Sequence, residues 1–273
     1  MKIYKDDLDM IEANRELLLP LVMLEAVREI YDKYNGAITI ETMWNIVSNG
    51  KKISPKMKRT ISDLFNAYYN ETGMEFSSGL YFKYDKPKSN FIIINFCDVV
   101  KIIDDSKKVS DINSSLALVL NIHSYMDGEY IYKDRYELLQ AANEFYPYNN
   151  TFTFDNPVTW FKCWPTSELE EFARFFIAYP TYEQISTKLH SNDINPLAHP
   201  YITNDGLNKA FKKLEAIGII CKVHTKYGQY SNKAVYCRVE HKEIAEALYN
   251  QIWENKQLAK KKAKEPKDEE DDG

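Results

Sequence analysis

Glycine and proline are scarce, nine and ten in 273 residues, too few turn-formers for a loop-rich or all-β sandwich design. Cysteine is scarcer still. Cys97, Cys163, Cys221 and Cys237 include no CxxC pair and have no histidine at ligand spacing beside them, which argues against a zinc site. Their apolar or strand-like surroundings predict buried free thiols in a reducing compartment. The longest apolar runs, Leu17–Leu24 and Leu116–Leu120, are far too short to span a bilayer. The first residues, Met1–Asp7, lack the apolar stretch of a signal peptide. A soluble, cytoplasmic protein with no membrane partner is expected.

Catalytic motifs are also missing. The sequence contains no Walker lysine loop, no GxGxxG and no HExxH. Its five histidines, His123, His190, His199, His224 and His241, show no paired spacing of the kind used by metal-dependent DNA-nicking enzymes. With twenty tyrosines, a tyrosine near a carboxylate carries no information. The expectation is a protein that is not an enzyme and uses no metal or cofactor.

What the chain does have is an ordinary folding composition, 44% hydrophobic and 27% charged, with 14% aromatic residues to fill its cores. The net charge of −5 at first argues against a nucleic-acid partner. The distribution argues otherwise. Residues 50–103 carry nine Lys and Arg against five Asp and Glu, and residues 180–239 carry eight against four. Residues 104–179 between them carry six against twelve. A binding face needs only local positive potential, so the elements on which the two basic blocks fall become decisive.

The second block is the clearer. Thr181 and Gln184 have capping-box spacing before a short helix with Tyr182, Ile185 and Leu189 on one face. After an irregular stretch, Ser191–Tyr201, a second helix starts near Thr203. Leu207, Ala210, Phe211, Leu214 and Ile217 share its core face, and Gly218 ends it. Two strand-like segments, Ile219–Lys226 and Ala234–Val239, flank a polar, basic tip. Helix, turn, helix and hairpin in this order make a winged helix. The outer face of its second helix carries Asn204, Asn208, Lys209, Lys212 and Lys213. Asparagine suits base edges and lysine suits phosphates in a major groove, with Lys226, Lys233 and Arg238 extending phosphate contact from the wing. A protein-contact winged helix would instead use those lysines to solvate an exposed face.

The segments YPTYEQISTKLH and ITNDGLNKAFKKLEAIGIICKVHTKYG, followed by NKAVYCRV, resemble the winged helix of bacterial plasmid and phage replication proteins and related regulators. The resemblance covers about the last quarter of the chain before its tail and includes the Leu-x-x-x-Gly-Ile run, Leu214–Ile219. The chain departs from that pattern at Ser191–Tyr201, where the family has a tight turn. The resemblance implies a replication initiator that binds origin repeats and recruits host replication proteins.

Residues 17–96 repeat the arrangement more weakly. Leu17–Tyr34 reads as a helix ended by Asn35-Gly36. A short helix capped by Thr39 buries Ile40, Met43, Trp44 and Val47, and Asn49-Gly50 makes a turn. Ser54-Pro55 starts a further helix with Met57, Ile61, Leu64, Phe65 and Tyr68 inward and Lys56 and Arg59 outward. Leu80–Tyr84 and Phe91–Phe96 read as a hairpin whose tip carries Lys86 and Lys88. Both basic blocks thus fall on helix-plus-hairpin parts.

In the acidic middle, Asn113–Met126 and Lys133–Phe145 read as helices, and Ser167 with Glu170 caps another that buries Leu169, Phe172, Ala173 and Phe176. Trp160, Phe161 and Trp164 read first as core or seam, and second as a base-stacking platform. Lys242–Leu258 is amphipathic, and the charged tail that follows is expected to be disordered.

The expected fold is therefore α+β and helix-rich, with two winged helix-turn-helix units joined by a helical acidic segment. The segments expected are 1–103, 104–165, 166–258 and 259–273. The expected function is sequence-specific binding of double-stranded DNA, in plasmid or phage replication initiation. A transcriptional regulator and a tandem winged-helix protein-interaction scaffold remain alternatives. A homodimer is compatible with each.

Overall fold

The computed structural model describes residues 1–11, 14–30, 37–72, 80–81, 90–146, 161–180, 182–185, 204–224 and 235–263. They form a helix-rich α+β chain with small antiparallel sheets.

Strand β1 (Lys2–Tyr4) leads into α1 (Lys5–Met10), and a 3-10 turn, Arg15–Leu17, leads into α2 (Leu18–Ile30). Leu18 to Val27 is buried without interruption, as befits a helix that is apolar on all sides and sits inside a core. Its one acid there, Glu25, is ion-paired with Arg28. Strand β2 (Ala37–Ile38) precedes α3 (Ile40–Val47), whose cap, Thr39, accepts from the Thr42 amide at 3.2 Å. Asn49 and Gly50 turn the chain with φ of 51° and 82°, the left-handed region that glycine and asparagine tolerate best. Ser54 Oγ then accepts from the Met57 amide at 3.2 Å, and Pro55 opens α4 (Pro55–Thr72). Ile61, Phe65 and Tyr68 are buried as their spacing requires.

Residues 82–89, most of the expected hairpin, lie outside the described residues. Strand β3 (Leu80–Tyr81) pairs with β2, and β4 (Phe91–Ile93) pairs with β1. The chain after β4 does not stay extended. Asn95 accepts from the Cys97 amide at 3.0 Å and caps α5 (Phe96–Asp105), in which Val99, Ile102 and Ile103 are buried at helical spacing. Helix α6 (Val109–His123) is buried along nearly all its length. Helix α7 (Arg135–Phe145) starts with a reciprocal capping box between Asp134 and Glu137.

Helix α8 (Thr166–Phe176) begins directly after Pro165 with no side-chain cap, so Ser167 lies in its first turn instead of capping it. Strand β5 (Ile177–Ala178), α9 (Tyr182–Ile185), α10 (Asn204–Ala216), β6 (Ile220–Lys222) and β7 (Tyr236–Arg238) follow, with Thr181 outside the described residues. A 3-10 turn, Val239–His241, leads into α11 (Lys242–Lys262). The helix runs past Leu258 because Ala259 and three lysines are good helix formers, and the lysines favour its C-terminal dipole. Residues 264–273, most of the expected tail, lie outside the described residues.

Strand β7 is central in a three-stranded sheet of order β5-β7-β6. Side chains alternate across a strand, and here each face meets a different core. Ala178, Ile220 and Tyr236 join a first core that draws on α2, α4, α5 and α6, together with Leu207, Phe211 and Leu214 of α10. Ile177, Cys221 and Cys237 join a second core, built mainly from α7, α8 and α11. The first core thus takes residues from both basic blocks.

Candidate nucleic-acid interface

Helix α4 turns Ile61, Phe65 and Tyr68 inward, and this leaves Lys56 and Arg59 exposed on the opposite side. Neither makes an ion pair among the described residues. Two neighbouring cations are engaged. Lys58 pairs with Glu41 of α3, and the hydrogen bond it donates holds the Glu41 carboxyl below the ordinary glutamate range. Lys51, just before α4, reaches Asp104 of α5 at 3.3 Å.

Helix α10 is fixed by its buried row, Leu207, Phe211 and Leu214. The Phe211 ring stacks on Tyr236 of β7 with 4.0 Å between centroids. Its end is a Schellman motif: Gly218, at φ 71°, donates to the Glu215 carbonyl, and Ile219 donates to that of Leu214, both at 3.0 Å. Lys209 and Lys212 are then exposed, with no ion pair among the described residues, and Asn208 is half-buried. Lys213 is half-buried and pairs with Asp105 at 3.2 Å. Asn204 begins α10, but its side chain lies outside the described residues, as do Lys86, Lys88, Lys226 and Lys233.

The two basic elements meet at the end of α5. Consecutive residues Asp104 and Asp105 take Lys51 from the approach to α4 and Lys213 from α10. One turn earlier, Lys101 Nζ donates to the Gly218 carbonyl at 3.4 Å. Sequence reading misses this junction, because its only local signal is an Asp-Asp pair where a basic block gives way to an acidic one.

Arg238 requires a correction. Its place in the wing predicts contact with phosphate, yet it is buried and its guanidinium is held by Asp98, with a further hydrogen bond to Glu240 at 2.6 Å. Burial alone would lower its pKa, but the hydrogen bond and charge of Asp98 outweigh that and raise it. Burial alone would likewise raise the Glu240 carboxyl, and Arg238 more than reverses this. Tyr132 completes the cluster. Its ring lies 4.4 Å from the guanidinium carbon, its hydroxyl donates to Asp98 at 3.1 Å, and burial raises its pKa.

Phe161 and Trp164 lie buried in the second core and offer no stacking platform, while Trp160 is outside the described residues. Cys221 and Cys237 are buried as expected, whereas Cys97 and Cys163 are exposed. Cys97 is exposed because it falls on the outer side of α5, opposite Val99 and Ile103. Among the described residues, no His, Cys, Asp and Glu group has the geometry of a metal site, and no helix is long and apolar enough to cross a membrane. No family model, no curated protein and no solved structure matches the chain.

Proposed function

We propose that the chain binds double-stranded DNA through two winged-helix units, with α4 and α10 as the helices that enter the groove. The order helix, strand, helix, helix, strand occurs twice, in α2-β2-α3-α4-β3 and in α8-β5-α9-α10-β6, which is the order such units require. The observation that carries the reading is the free cationic face of each unit's third helix. Lys56 and Arg59 on α4, and Lys209 and Lys212 on α10, are exposed without a carboxylate partner among the described residues. A lysine that needs no protein partner is available to displace counterions from phosphate.

Within this class we favour replication initiation at plasmid or phage origin repeats. That choice rests on the sequence resemblance of the C-terminal unit. A protein-interaction scaffold is favoured by one observation, the neutralisation of Lys51 and Lys213 by Asp104 and Asp105.

Labelled duplex DNA, titrated with the full chain across a salt series, tests the reading. Log affinity should fall linearly with log salt, and Lys209→Ala/Lys212→Ala should flatten the slope by about 0.9 per lost phosphate contact. A wild-type chain that binds no duplex at about 50 mM salt overturns DNA binding, and partner capture then tests the scaffold.

A further inference from the structure

Between the first turns of α4 and α6 lies an open groove of about 560 Å³, within the roughly 300–1,000 Å³ common to ligand sites. Met57, Leu64 and Val109 supply apolar surface to its lining. Three lysines also line it: Lys56 from α4, and Lys107 and Lys108 from the turn that starts α6. All three are exposed and make no ion pair among the described residues. The single carboxylate in the lining is Glu16, so the groove carries an excess of positive charge.

Its polar geometry favours an anion with several oxygens. Lys108 is the N-cap of α6 and has an extended backbone, and no side chain caps that helix. The first amides of α6 therefore lack a side-chain acceptor at the cap, and the one acidic side chain of the first turn, Asp111, is not part of the groove lining. Ser110 adds a hydroxyl on the first turn. Ser54, already accepting from Met57, keeps its own hydroxyl proton to donate.

We infer that this groove holds a backbone phosphate of the nucleic acid, so that Lys107 and Lys108 extend the contact surface of α4. The inference rests on the proposed DNA-binding function. A polymer, in preference to a small anion, is indicated by the open shape of the groove and by the continuity of its charge. Arg59, also exposed and without an ion pair among the described residues, stands on α4 three positions beyond Lys56. A strand crossing the start of α4 therefore meets Arg59, Lys56 and the Lys107–Lys108 pair in one run.

The test is the salt dependence of duplex binding by the full chain, comparing wild type with Lys107→Ala/Lys108→Ala and with Ser110→Glu, each checked for an unchanged melting temperature. Loss of two phosphate contacts reduces the fall in affinity between 50 and 200 mM salt by about tenfold, and the added carboxylate weakens binding at low salt. If wild type binds and both variants keep its affinity and slope, the groove takes no phosphate and the inference is wrong. A wild type that binds no duplex overturns the functional reading itself, and this inference with it. Titration with ATP distinguishes the source of the phosphate. ATP binding that depends on Lys107 and Lys108, with the duplex slope unchanged, makes the groove a nucleotide site and overturns the assignment to nucleic acid.

Discussion

Arg238 Nη1 donates to Asp98 Oδ2 at 2.5 Å, joining β7 to α5 across 140 positions of sequence, with side chains only 6% and 2% exposed. A second hydrogen bond, Nη2 to Oδ1 at 3.4 Å, makes the pair bidentate. Removing Arg238 strands the Asp98 carboxylate in a poorly solvated site, while removing Asp98 leaves the guanidinium its other partner, Glu240. Arg238→Met should therefore lower stability by about 3–5 kcal/mol, measured by urea denaturation. Asp98→Leu combined with Arg238→Met should cost clearly less than Arg238→Met alone, since the carboxylate that then loses its partner, Glu240, is 40% exposed. Additive losses would show that the pair does not act as a unit.

His123 makes stability depend on pH. Its Nδ1 donates to the Ile93 carbonyl at 2.8 Å, and its Nε2 is buried without a partner among the described residues. Burial is the main reason its pKa is pushed down to about 4. A proton added to Nε2 would have no acceptor there. The unfolded chain takes up that proton near the ordinary histidine value of about 6.5, so it binds more protons than the native state between the two values. The contribution is complete above about pH 6.5 and is lost as pH falls from there towards 4. His241, which donates from Nε2 to the Lys133 carbonyl at 2.6 Å, is likewise lowered mainly by burial and adds in the same direction. Melting temperatures from pH 7 to pH 4 should fall for wild type and fall less for His123→Gln. Parallel curves would rule out His123 as the cause.

Asp104 and Asp105 neutralise one cation from each basic block through exposed or half-exposed pairs. Such pairs stabilise by less than about 1 kcal/mol, so Asp104→Asn/Asp105→Asn should melt close to wild type. The two lysines it releases should raise duplex affinity several-fold at low salt, an effect that shrinks as salt screens it. Unchanged affinity would place Lys51 and Lys213 away from the DNA.

The cysteines should separate by reactivity. Cys97 and Cys163 are exposed and should be labelled rapidly by a thiol reagent in the native state. Cys221 and Cys237 face each other across β6 and β7 with Sγ atoms 3.8 Å apart, both buried. Burial, then the neighbouring thiol, raises the Cys237 pKa and keeps it from forming the reactive thiolate. Mass spectrometry should find two labels on the native protein and four after denaturation. Four rapid native labels would mean that the sheet opens readily.

The parts of this fold that can be read from sequence are those with local physics. Gly218 announces the end of α10 because only a residue tolerant of positive φ closes that motif cheaply. Ser54-Pro55 announces α4 because the cap and the first-turn proline act within four residues. The outward placing of Lys56, Arg59, Lys209 and Lys212 follows from helical period alone. What cannot be read depends on distant partners. The pairing of β4 with β1 involves three residues at each end of a span of about ninety, and no turn chemistry encodes it. Arg238 reads as a wing cation until Asp98 is placed beside it. The groove beside Lys56 exists only because α6 is laid against α4, bringing Lys107 and Lys108 from the acidic segment to the edge of a basic one.

The sheet β5-β7-β6 buries Ala178, Ile220 and Tyr236 on one side and Ile177, Cys221 and Cys237 on the other. A fragment beginning at residue 166 would keep the second set covered by α8 and α11 but expose the first to water, along with Leu207, Phe211 and Leu214 of α10. The cationic helix of that fragment would then lie over a greasy, unsupported face prone to self-association. Modular exchange of the C-terminal unit, whether by natural recombination or by grafting it onto another protein, is therefore obstructed. The unit that reads as most self-contained in sequence inherits half of its interior from the other end of the chain.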